Sequence, residues 1–490
     1  MEKGNSIFSK NRLKENQIPI GAYCSPQPAF TKDGIKYPSM INVKTYRYLA
    51  DLGIDLVYGH NEIFGRSEKD DKDVFDALAC CEKVGIKYLV NDFHFMEYCA
   101  LGFDDEYSDW RTLSVEKKKD LDDRFRQSLR RVKDEKAFAG IFFIDEPGMD
   151  SFDGMSAAKK VFDEECPGKI FNVNLFPGEA NPWQYHFGWV KEGAEKIKIT
   201  DGAIYNSKNN NDHSERYKYY LTKYLDVVNP EFFSYDSYPF LNFDGSESLV
   251  FKSLYFHLQF GAWVEKVYNL PFWPMIQVGG KWERASAVRI TDFADIQLYM
   301  NLALAYGAKG FTLFPTCHPN DWTPDDMAYV GVLDRNGEPT DMYYHYLYAI
   351  KQLRACEKYL VDAKFQCAVI GGKFIDPLTD FDALSDEISP LVFKGDFPAF
   401  NNPVRENYKE LKKVNATSQF FVGCFNCEEK SLFYVVNNSV VTAGNVELVF
   451  DTELKFGLVY KGKETEINGS TVSLKKVGAG EGFLLYVKGE

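Results

Sequence analysis

The feature of this 490-residue sequence that most constrains its fold is a repeated alternation of two kinds of segment. A short apolar run rich in β-branched and aromatic residues ends in polar residues, and a charged stretch with helical spacing follows it. Examples of the helical stretches are VKTYRYLADLG, VFDALACCEKVG and ITDFADIQLYMNLALAYGA. The eight predicted strands span residues 18–23, 54–59, 87–93, 139–145, 170–176, 231–236, 274–279 and 310–315.

Eight such units predict a (β/α)8 barrel of the TIM type, because alternating strands and helices build a parallel sheet that eight units can close. A doubly wound sheet is the alternative, but it usually has fewer strands and often a glycine-rich phosphate turn after the first one. The first predicted strand continues as GAYCSPQP, without a GxGxxG pattern. The sequence therefore favours the barrel.

The pattern changes after the helical stretch MYYHYLYAIKQLRACEKYLVDA. Short β-rich runs separated by turn residues follow it, namely SQFFVGCF, SLFYVVNNS, NVELVFD, KFGLVY, STVSLKKV and EGFLLYVKG. Runs of this kind predict an antiparallel β-sandwich domain. The predicted organisation is an N-terminal extension over residues 1–16, the barrel over 17–355 and the sandwich over 356–490.

Composition and charge exclude several classes of partner. The formal net charge of −14 and the pI near 5.2 argue against nucleic acid and against an anionic membrane surface, since both would repel the chain. No apolar run approaches the roughly 20 residues of a membrane span, and the N-terminus MEKGNSIFSKNRLKENQ does not resemble a signal peptide. The ten cysteines are scattered and predict reduced thiols. A cytoplasmic protein is expected.

Polar side chains gather where the predicted strands end, which is the edge at which barrel proteins carry their ligand sites. Besides several acids, they are His60, Asn61, Asn91, Asp92, His94, Asn174, Tyr235, Tyr238, Gln277, Trp282, Thr316 and His318. A solvated rim would also be polar. The aromatic content of 16% favours a ligand with flat faces, such as a sugar. We therefore expect these residues to bind a carbohydrate substrate.

Two adjacent acids, Asp145 and Glu146, end the fourth strand in the stretch FAGIFFIDEPG. Because successive strand side chains point to opposite faces, one is expected to face the barrel mouth and the other a neighbouring strand. Partly buried among Phe and Tyr side chains, one of them should have a raised pKa, as a general acid requires. A salt bridge or a helix cap beside Pro147 is the structural alternative.

The succession IFFIDEP, NVNLFP, FFSYDSYPF, PMIQVGG and LALAYGAKGFTLFP resembles barrel glycoside hydrolases related to the large retaining-glycosidase superfamily, including its β-galactosidase-like members. The resemblance covers about residues 17–355. It implies that Glu146 is the acid/base, with Asp145 at a position where Asn is usual. It also implies a nucleophilic glutamate at the end of strand seven, where this sequence has Gln277 and the nearest acid is Glu283.

Three routes to the second catalytic group stay open. The Asp-Glu pair also resembles glycoside hydrolase families 20 and 123, in which the substrate's acetamido oxygen is the nucleophile. Asp145 would then orient the acetamido group, and Tyr235 or Tyr238 would hydrogen-bond its carbonyl. In the second route Asp236 is the partner carboxylate, as base or nucleophile according to its distance from the acid. In the third, Glu283 returns to the nucleophile role on a loop.

A metal site is a further alternative, because His60 with Glu62, and Asp92 with His94, place ligand-type side chains two residues apart. No HxxxH or HExxH spacing supports it, and we predict neither a metal nor another cofactor. The leading hypothesis is a glycoside hydrolase acting on an oligosaccharide or glycoside. The alternative of another class is a carbohydrate-binding barrel without catalysis. The sequence predicts no particular oligomeric state.

Overall fold

The first sheet is parallel and contains nine strands. They are β1 (Ile20–Ala22), β4 (Leu56–Phe64), β5 (Lys87–Asp92), β6 (Phe138–Phe142), β7 (Ile170–Asn172), β8 (Asn174–Leu175), β9 (Phe233–Ser237), β10 (Phe272–Gln277) and β11 (Phe311–Phe314). Their hydrogen-bonded order is β7-β6-β5-β4-β1-β11-β10-β9-β8. Two further strands, β2 (Phe30–Lys32) and β3 (Ile35–Tyr37), form a separate hairpin. All eight predicted barrel strands are present.

The fifth predicted strand, 170–176, is divided at Val173 into β7 and β8. β7 hydrogen-bonds to β6, and β8 hydrogen-bonds to β9. The two ends of the sheet order therefore belong to one continuous stretch of chain, which closes the sheet as a barrel requires. The predicted (β/α)8 barrel is confirmed, with its fifth strand in two pieces.

This computed structural model describes residues 16–32, 34–99, 110–142, 145–178, 180, 182–188, 213–240, 247–280, 290–318, 330–372, 404–405, 407–427 and 430–488. Within these ranges the helices are α1 (Val43–Leu52), α2 (Glu68–Val84), α3 (Phe93–Tyr98), α4 (Val115–Val132), α5 (Phe152–Glu165), α6 (Pro182–Phe187), α7 (His213–Val228), α8 (Glu247–Tyr268), α9 (Phe293–Ala305) and α10 (Asp341–Leu360). No helix in the described ranges is long and apolar enough to cross a membrane.

Local sequence explains where the first helices begin and end. Asn42 and Ser67 precede α1 and α2, and each side chain accepts a hydrogen bond from an N–H of the first turn. Gly53 and Gly85 follow the two helices in the left-handed conformation. Glycine adopts that conformation without the steric cost of a Cβ atom, so each helix stops there and the chain turns into the next strand.

The second sheet contains β12 (Lys364–Gly371), β13 (Val404–Arg405), β14 (Leu411–Ala416), β15 (Phe420–Cys427), β16 (Lys430–Asn437), β17 (Gly444–Tyr460), β18 (Lys463–Val477) and β19 (Gly482–Val487). Their order is β13-β12-β15-β16-β19-β17-β14, with β18 paired to β17. The pairs are antiparallel apart from β12 with β13. The predicted antiparallel sandwich is confirmed.

One long strand, β17, differs from the sequence prediction. It spans both NVELVFD and KFGLVY, which the apolar pattern predicted as separate strands. Its first part pairs with β14, its last part pairs with β19, and its pairing with β18 changes register between Val449 and Leu454. The polar residues between the two apolar runs therefore lie at an irregularity within one strand and not in a turn.

Contacts between residues divide the chain into two compact units. One comprises residues 19–236 with 335–338, and the other comprises 16–18, 237–334 and 339–490. The three acids Asp145, Glu146 and Asp236 all belong to the first unit. The predicted domain limits, 17–355 and 356–490, stay a prediction.

Glu62 is a fully buried acid in β4. Its carboxyl group accepts a hydrogen bond from the Tyr88 hydroxyl and another from Ser25 Oγ at 2.9 Å. Burial raises the pKa of Glu62 to about 8, because the loss of hydration outweighs these two hydrogen bonds. Glu62 is therefore mostly protonated at neutral pH.

We expect Glu62→Gln to flatten the pH dependence of stability. Because the pKa of Glu62 is higher in the folded protein than its value of about 4.3 in an unfolded chain, its contribution is fully present below that value. It is lost as pH rises toward 8, by about 1.4 kcal/mol for each pKa unit. Urea unfolding at pH 5 and pH 8 measures this. Equal pH dependence in both proteins would contradict the prediction.

Gly140→Ala should destabilise the barrel strongly. Gly140 lies in β6 with a φ of 150°, and a Cβ atom there would lie 1.9 Å from the Ile170 carbonyl oxygen in β7. We expect a loss of roughly 3 kcal/mol or more in the free energy of unfolding. The control Gly85→Ala also imposes a positive φ, but into open space, and should cost about 1 kcal/mol. Equal losses in denaturant unfolding would contradict the steric argument.

Candidate active site

Four predicted site residues meet at the C-terminal ends of neighbouring strands. Asp145 and Glu146 follow β6, Asn174 lies in β8 and Asp236 lies in β9. Glu146 is 7% exposed, Asp236 4% and Asn174 1%, whereas Asp145 is partly exposed. All four lie in the unit that contains residues 19–236. The sequence thus predicted the members of this carboxyl cluster.

The Asn174 amide joins two of the acids. Its Nδ2 donates to Asp145 Oδ1 at 3.0 Å and to Asp236 Oδ1 at 3.3 Å. Its Oδ1 accepts from Ser234 Oγ at 3.0 Å. Asp236 also hydrogen-bonds with the Glu146 side chain. Three carboxyl groups are therefore connected through one amide and one direct carboxyl contact.

Glu146 has a strained backbone with a φ of 43°, in the left-handed region that residues with side chains rarely adopt. Its N–H donates to the Asn174 carbonyl oxygen at 2.9 Å. The Tyr220 hydroxyl donates to the carbonyl oxygen of the next residue, Pro147, at 2.7 Å. Strain of this kind is typical of functional sites, where the surrounding structure holds it.

This turn changes the predicted orientation of the two acids. Alternation along a strand predicts that Asp145 and Glu146 point to opposite faces. The described part of β6 ends at Phe142, and the left-handed Glu146 no longer follows a strand pattern. Both acids consequently approach Asp236, Glu146 directly and Asp145 through the shared Asn174 amide.

Burial governs the protonation of the cluster. Loss of hydration raises the pKa of Asp145 to about 7, although the Asn174 amide opposes the shift. Burial and then the nearby Asp145 charge raise the pKa of Asp236 well above its usual range. A direct hydrogen bond between two carboxyl groups needs one proton. The contact between Glu146 and Asp236 therefore forms when one of the two carboxyl groups carries a proton.

Tyr23, which follows β1, forms an aromatic wall beside the acids. Burial and then the Asp145 charge raise the pKa of its phenol well above the usual range. Its ring centroid lies 5.6 Å from that of Tyr58, 5.8 Å from that of Phe142 and 5.2 Å from that of His60. The neutral phenol and the His60 ring border the cluster on the β1 and β4 side.

Asn61 and Asn91 are two other predicted binding residues near these strands. Among the hydrogen bonds of the described residues, neither side chain contacts the acids. Asn61 Nδ2 donates to the Ser25 carbonyl oxygen at 2.9 Å. Asn91 is 1% exposed, and its Oδ1 has no hydrogen-bond partner among the described residues. Asn91 pairs in register with Phe142, so both side chains point to the same face of the sheet.

Asp92 and His94 serve the start of α3. Asp92 accepts hydrogen bonds from the N–H groups of His94 and Phe95 and from the Ser128 hydroxyl. His94 Nδ1 lies 2.8 Å from Glu97 Oε2. Within the described residues, no group of three or more His, Cys, Asp or Glu could hold a metal ion. These contacts make both residues part of a helix cap and a polar surface network.

The two predicted acetamido ligands, Tyr235 and Tyr238, have other surroundings. Tyr235 stacks on Phe233 on the face of β9 opposite to Asp236, because side chains alternate along a strand. The Tyr238 hydroxyl donates to Met275 Sδ at 3.4 Å. The described contacts therefore bring neither phenol together with the carboxyl cluster.

Gln277, at the position where the resemblance implies a nucleophile, pairs with the main chain. Its Oε1 accepts from the Phe240 N–H at 2.9 Å, and its Nε2 donates to the Phe240 carbonyl oxygen at 3.0 Å. It is 1% exposed. Both ends of this amide therefore support local structure.

The remaining predictions concern strand eight and a loop. Thr316 is buried, and its hydroxyl donates to the Leu313 carbonyl oxygen at 3.0 Å. The His318 N–H donates to the Leu333 carbonyl oxygen at 3.1 Å. Trp282 and Glu283 lie outside the described residues. The roles predicted for these four residues stay predictions.

Two residues beside the cluster were missed by the sequence reasoning. Ser234 precedes Asp236 by two positions on the same strand, so the period of side-chain alternation could have indicated it. Tyr220 lies in α7, and no sequence signal connects it with Pro147, because only folding brings the two together.

Comparison with known proteins concerns the fold. No family model and no curated protein matches the sequence. A catalytic mutant of the GH42 β-galactosidase Gan42B from G. stearothermophilus aligns over 97% of this chain and 98% of its own, at 9% identity and a TM-score of 0.53. A β-galactosidase from Bacillus circulans sp. alkalophilus aligns over 96% and 99%, at 10% identity and a TM-score of 0.52.

A third solved structure is longer than this protein. It is a β-galactosidase from the psychrophilic Marinomonas ef1, and this chain spans 60% of its length. The alignment covers 70% of this chain, at 10% identity and a TM-score of 0.45. These structural neighbours are glycoside hydrolases. With the GH42 and Bacillus circulans enzymes this chain shares the fold of a (β/α)8 barrel followed by an antiparallel sandwich.

Proposed function

We propose that this protein is a glycoside hydrolase in which Glu146 is the general acid/base and Asp236 is its partner carboxylate. The observation that carries the proposal is the hydrogen-bonding contact between these two buried acids at the C-terminal ends of the barrel strands. Barrel enzymes bind their substrates at this edge. Hydrolysis of a glycosidic bond needs one protonated and one ionised carboxyl group, and this pair supplies both.

The mechanism begins with the shared proton. In the substrate complex the proton lies on Glu146, after crossing its hydrogen bond with Asp236. Glu146 donates it to the glycosidic oxygen as the bond from that oxygen to C1 breaks. The Asp236 carboxylate, now ionised, attacks C1 and forms a glycosyl ester. Glu146 then accepts a proton from water, whose oxygen attacks C1 and releases Asp236.

The contact between Glu146 and Asp236 argues against an inverting mechanism. Inverting enzymes hold their two carboxyl groups about 6.5 to 9.5 Å apart so that a water fits between them. Glu146 and Asp236 hydrogen-bond directly, so they are closer than that range. Double displacement uses a separation of about 5 to 5.5 Å, which the proposal requires the pair to reach when the sugar enters between them.

A substrate-assisted N-acetylhexosaminidase is the alternative within this class. It is supported by Asp145, which lies beside Glu146 and ionises near neutral pH. Tyr235 and Tyr238 give it no support, because Tyr235 lies on the face of β9 opposite to Asp236 and the Tyr238 hydroxyl donates to Met275 Sδ. A sugar-binding barrel without catalysis is the alternative outside it.

Glu146→Gln should lower kcat by about 10²–10⁴-fold on a methyl glycoside and by less on the matching 4-nitrophenyl glycoside. The reason is that a poor leaving group needs protonation and nitrophenolate does not. The substrates are 4-nitrophenyl galactoside, glucoside, N-acetylglucosaminide and N-acetylgalactosaminide, followed by the methyl glycoside of whichever sugar is cleaved. Product release measures the rates.

Glu62→Gln is the matched control for this experiment. It removes another buried acid, and among the described residues the Glu62 carboxyl group hydrogen-bonds to Tyr88 and Ser25, neither of which belongs to the carboxyl cluster. It should keep wild-type kcat. Undiminished cleavage by Glu146→Gln would overturn the acid assignment. Binding of every sugar without cleavage by the wild type would overturn the hydrolase.

Asp236→Asn should abolish hydrolysis, because an amide cannot form the glycosyl ester. The substrate-assisted route predicts weaker binding with retained turnover instead. Initial rates with the variant on the best substrate separate the two. Wild-type cleavage of a galactoside or glucoside, which lack an acetamido group, would exclude the substrate-assisted route independently.

A further inference from the structure

The side chain of Asn174 has no donor left for a substrate. Its amide has two N–H groups, and these point to Asp145 and Asp236. Its carbonyl oxygen accepts from Ser234, and the residue is 1% exposed. Both N–H donors of Asn174 therefore serve the acids, and its predicted role as a substrate ligand stays a prediction.

Ser234 fixes the orientation of this amide. Asn174 and Ser234 are direct neighbours in the pairing of β8 with β9, and their side chains lie on one face. The Ser234 hydroxyl donates to Asn174 Oδ1 at 3.0 Å. A flipped amide would aim its oxygen at two carboxyl groups and lose both charge-assisted bonds. The serine thus keeps the donors directed at the aspartates.

The amide in turn determines where the shared proton can lie. Asp236 Oδ1 accepts an N–H from Asn174, so a proton on Asp236 must occupy its other oxygen. Glu146 is the carboxyl group with which Asp236 shares a direct hydrogen bond. The hydrogen-bond series from Ser234 to Asn174 to Asp236 therefore ends at Glu146.

We propose that Ser234 is a positioning residue that acts through Asn174: it locks the amide so that Asp145 and Asp236 stay acceptors and the shared proton stays between Asp236 and Glu146. Its catalytic meaning rests on the proposed function. The hydrogen-bond geometry itself does not. Nothing in the sequence pattern of Ser234 alone assigns it this role, because the partner amide comes from another strand.

The other titratable groups near the cluster are phenols, one thiol and the His60 imidazole in β4. In the described residues the phenols and the thiol are Tyr23 and Cys24 after β1, and Tyr217 and Tyr220 on α7. Burial raises the pKa of each of the three tyrosines well above its usual range, so the phenols stay neutral between pH 5 and 9. Glu62 and Asp92, whose pKa values burial raises to about 8 and about 6, also titrate in that range. The titration of the three cluster carboxyl groups is therefore obtained from the difference between each variant and the wild type.

Ser234→Ala should release the amide and weaken the N–H donors that favour ionised Asp145 and Asp236. The Asn174 hydrogen bonds lower both pKa values, so their loss raises them. We expect the acid limb of kcat/KM to move to higher pH by about half a unit or more. We also expect kcat to fall about tenfold with a smaller change in KM. Ser234→Thr, which keeps the hydroxyl, should restore both.

Ser237→Ala is the matched control, since Ser237 is a buried serine of the same strand on the opposite face. It should leave the pH profile unchanged. If Ser234→Ala lowers the melting temperature but its pH profile coincides with that of Ser237→Ala, Ser234 is merely structural and the proposal fails.

A measurement without substrate keeps the two proposals separable. Infrared spectra of the wild type and both alanine variants, recorded from pH 5 to 9, follow the absorption of protonated carboxyl groups. The midpoint should be higher in Ser234→Ala than in the other two proteins. Three identical titrations would overturn the positioning role. Absence of glycoside cleavage by the wild type would overturn the proposed function and leave the infrared result valid.

Discussion

The burial of Glu146 and Asp236, with the partly exposed Asp145, around one amide is the interaction on which the site depends. Removing ionised carboxylates from water costs several kcal/mol each unless donors or protons compensate. Asn174 supplies two N–H donors, and the contact between Glu146 and Asp236 supplies a shared proton. The raised pKa values of Asp145 and Asp236 follow from burial that these contacts compensate only in part. Carboxyl groups with pKa values raised in this way are suited to proton transfer.

The barrel holds this cluster in a conformation that a free chain would avoid. The left-handed backbone at Glu146 costs of order 1–3 kcal/mol, which surrounding contacts must offset. The Asn174 carbonyl oxygen holds the Glu146 N–H, and Tyr220 holds the Pro147 carbonyl oxygen. Rigid strands provide the first contact and a buried helix face the second. The orientation of Glu146 therefore depends on the packing of the folded barrel around it.

Gln277, at the end of strand seven, has a structural role, and the carboxyl cluster lies on other strands. Gln277 pairs with the Phe240 main chain through both ends of its amide, so it has a structural task. Asp236 is buried on β9 with a carboxyl contact to Glu146. The missing strand-seven acid therefore does not by itself argue against catalysis, because another strand can carry the second carboxylate.

The sequence by itself determined the eight strands, the change to a β-rich domain and the candidate acids, because apolar periodicity and strand-end polarity are local properties. Only the tertiary structure decided that Asn174 joins Asp145 to Asp236 and that Ser234 locks it, because strand register sets those contacts. It also decided that Asp92 caps a helix and that Tyr235 faces away from Asp236. Hydrogen-bond partners distant in sequence have no local signal, since their proximity arises only when the sheet closes.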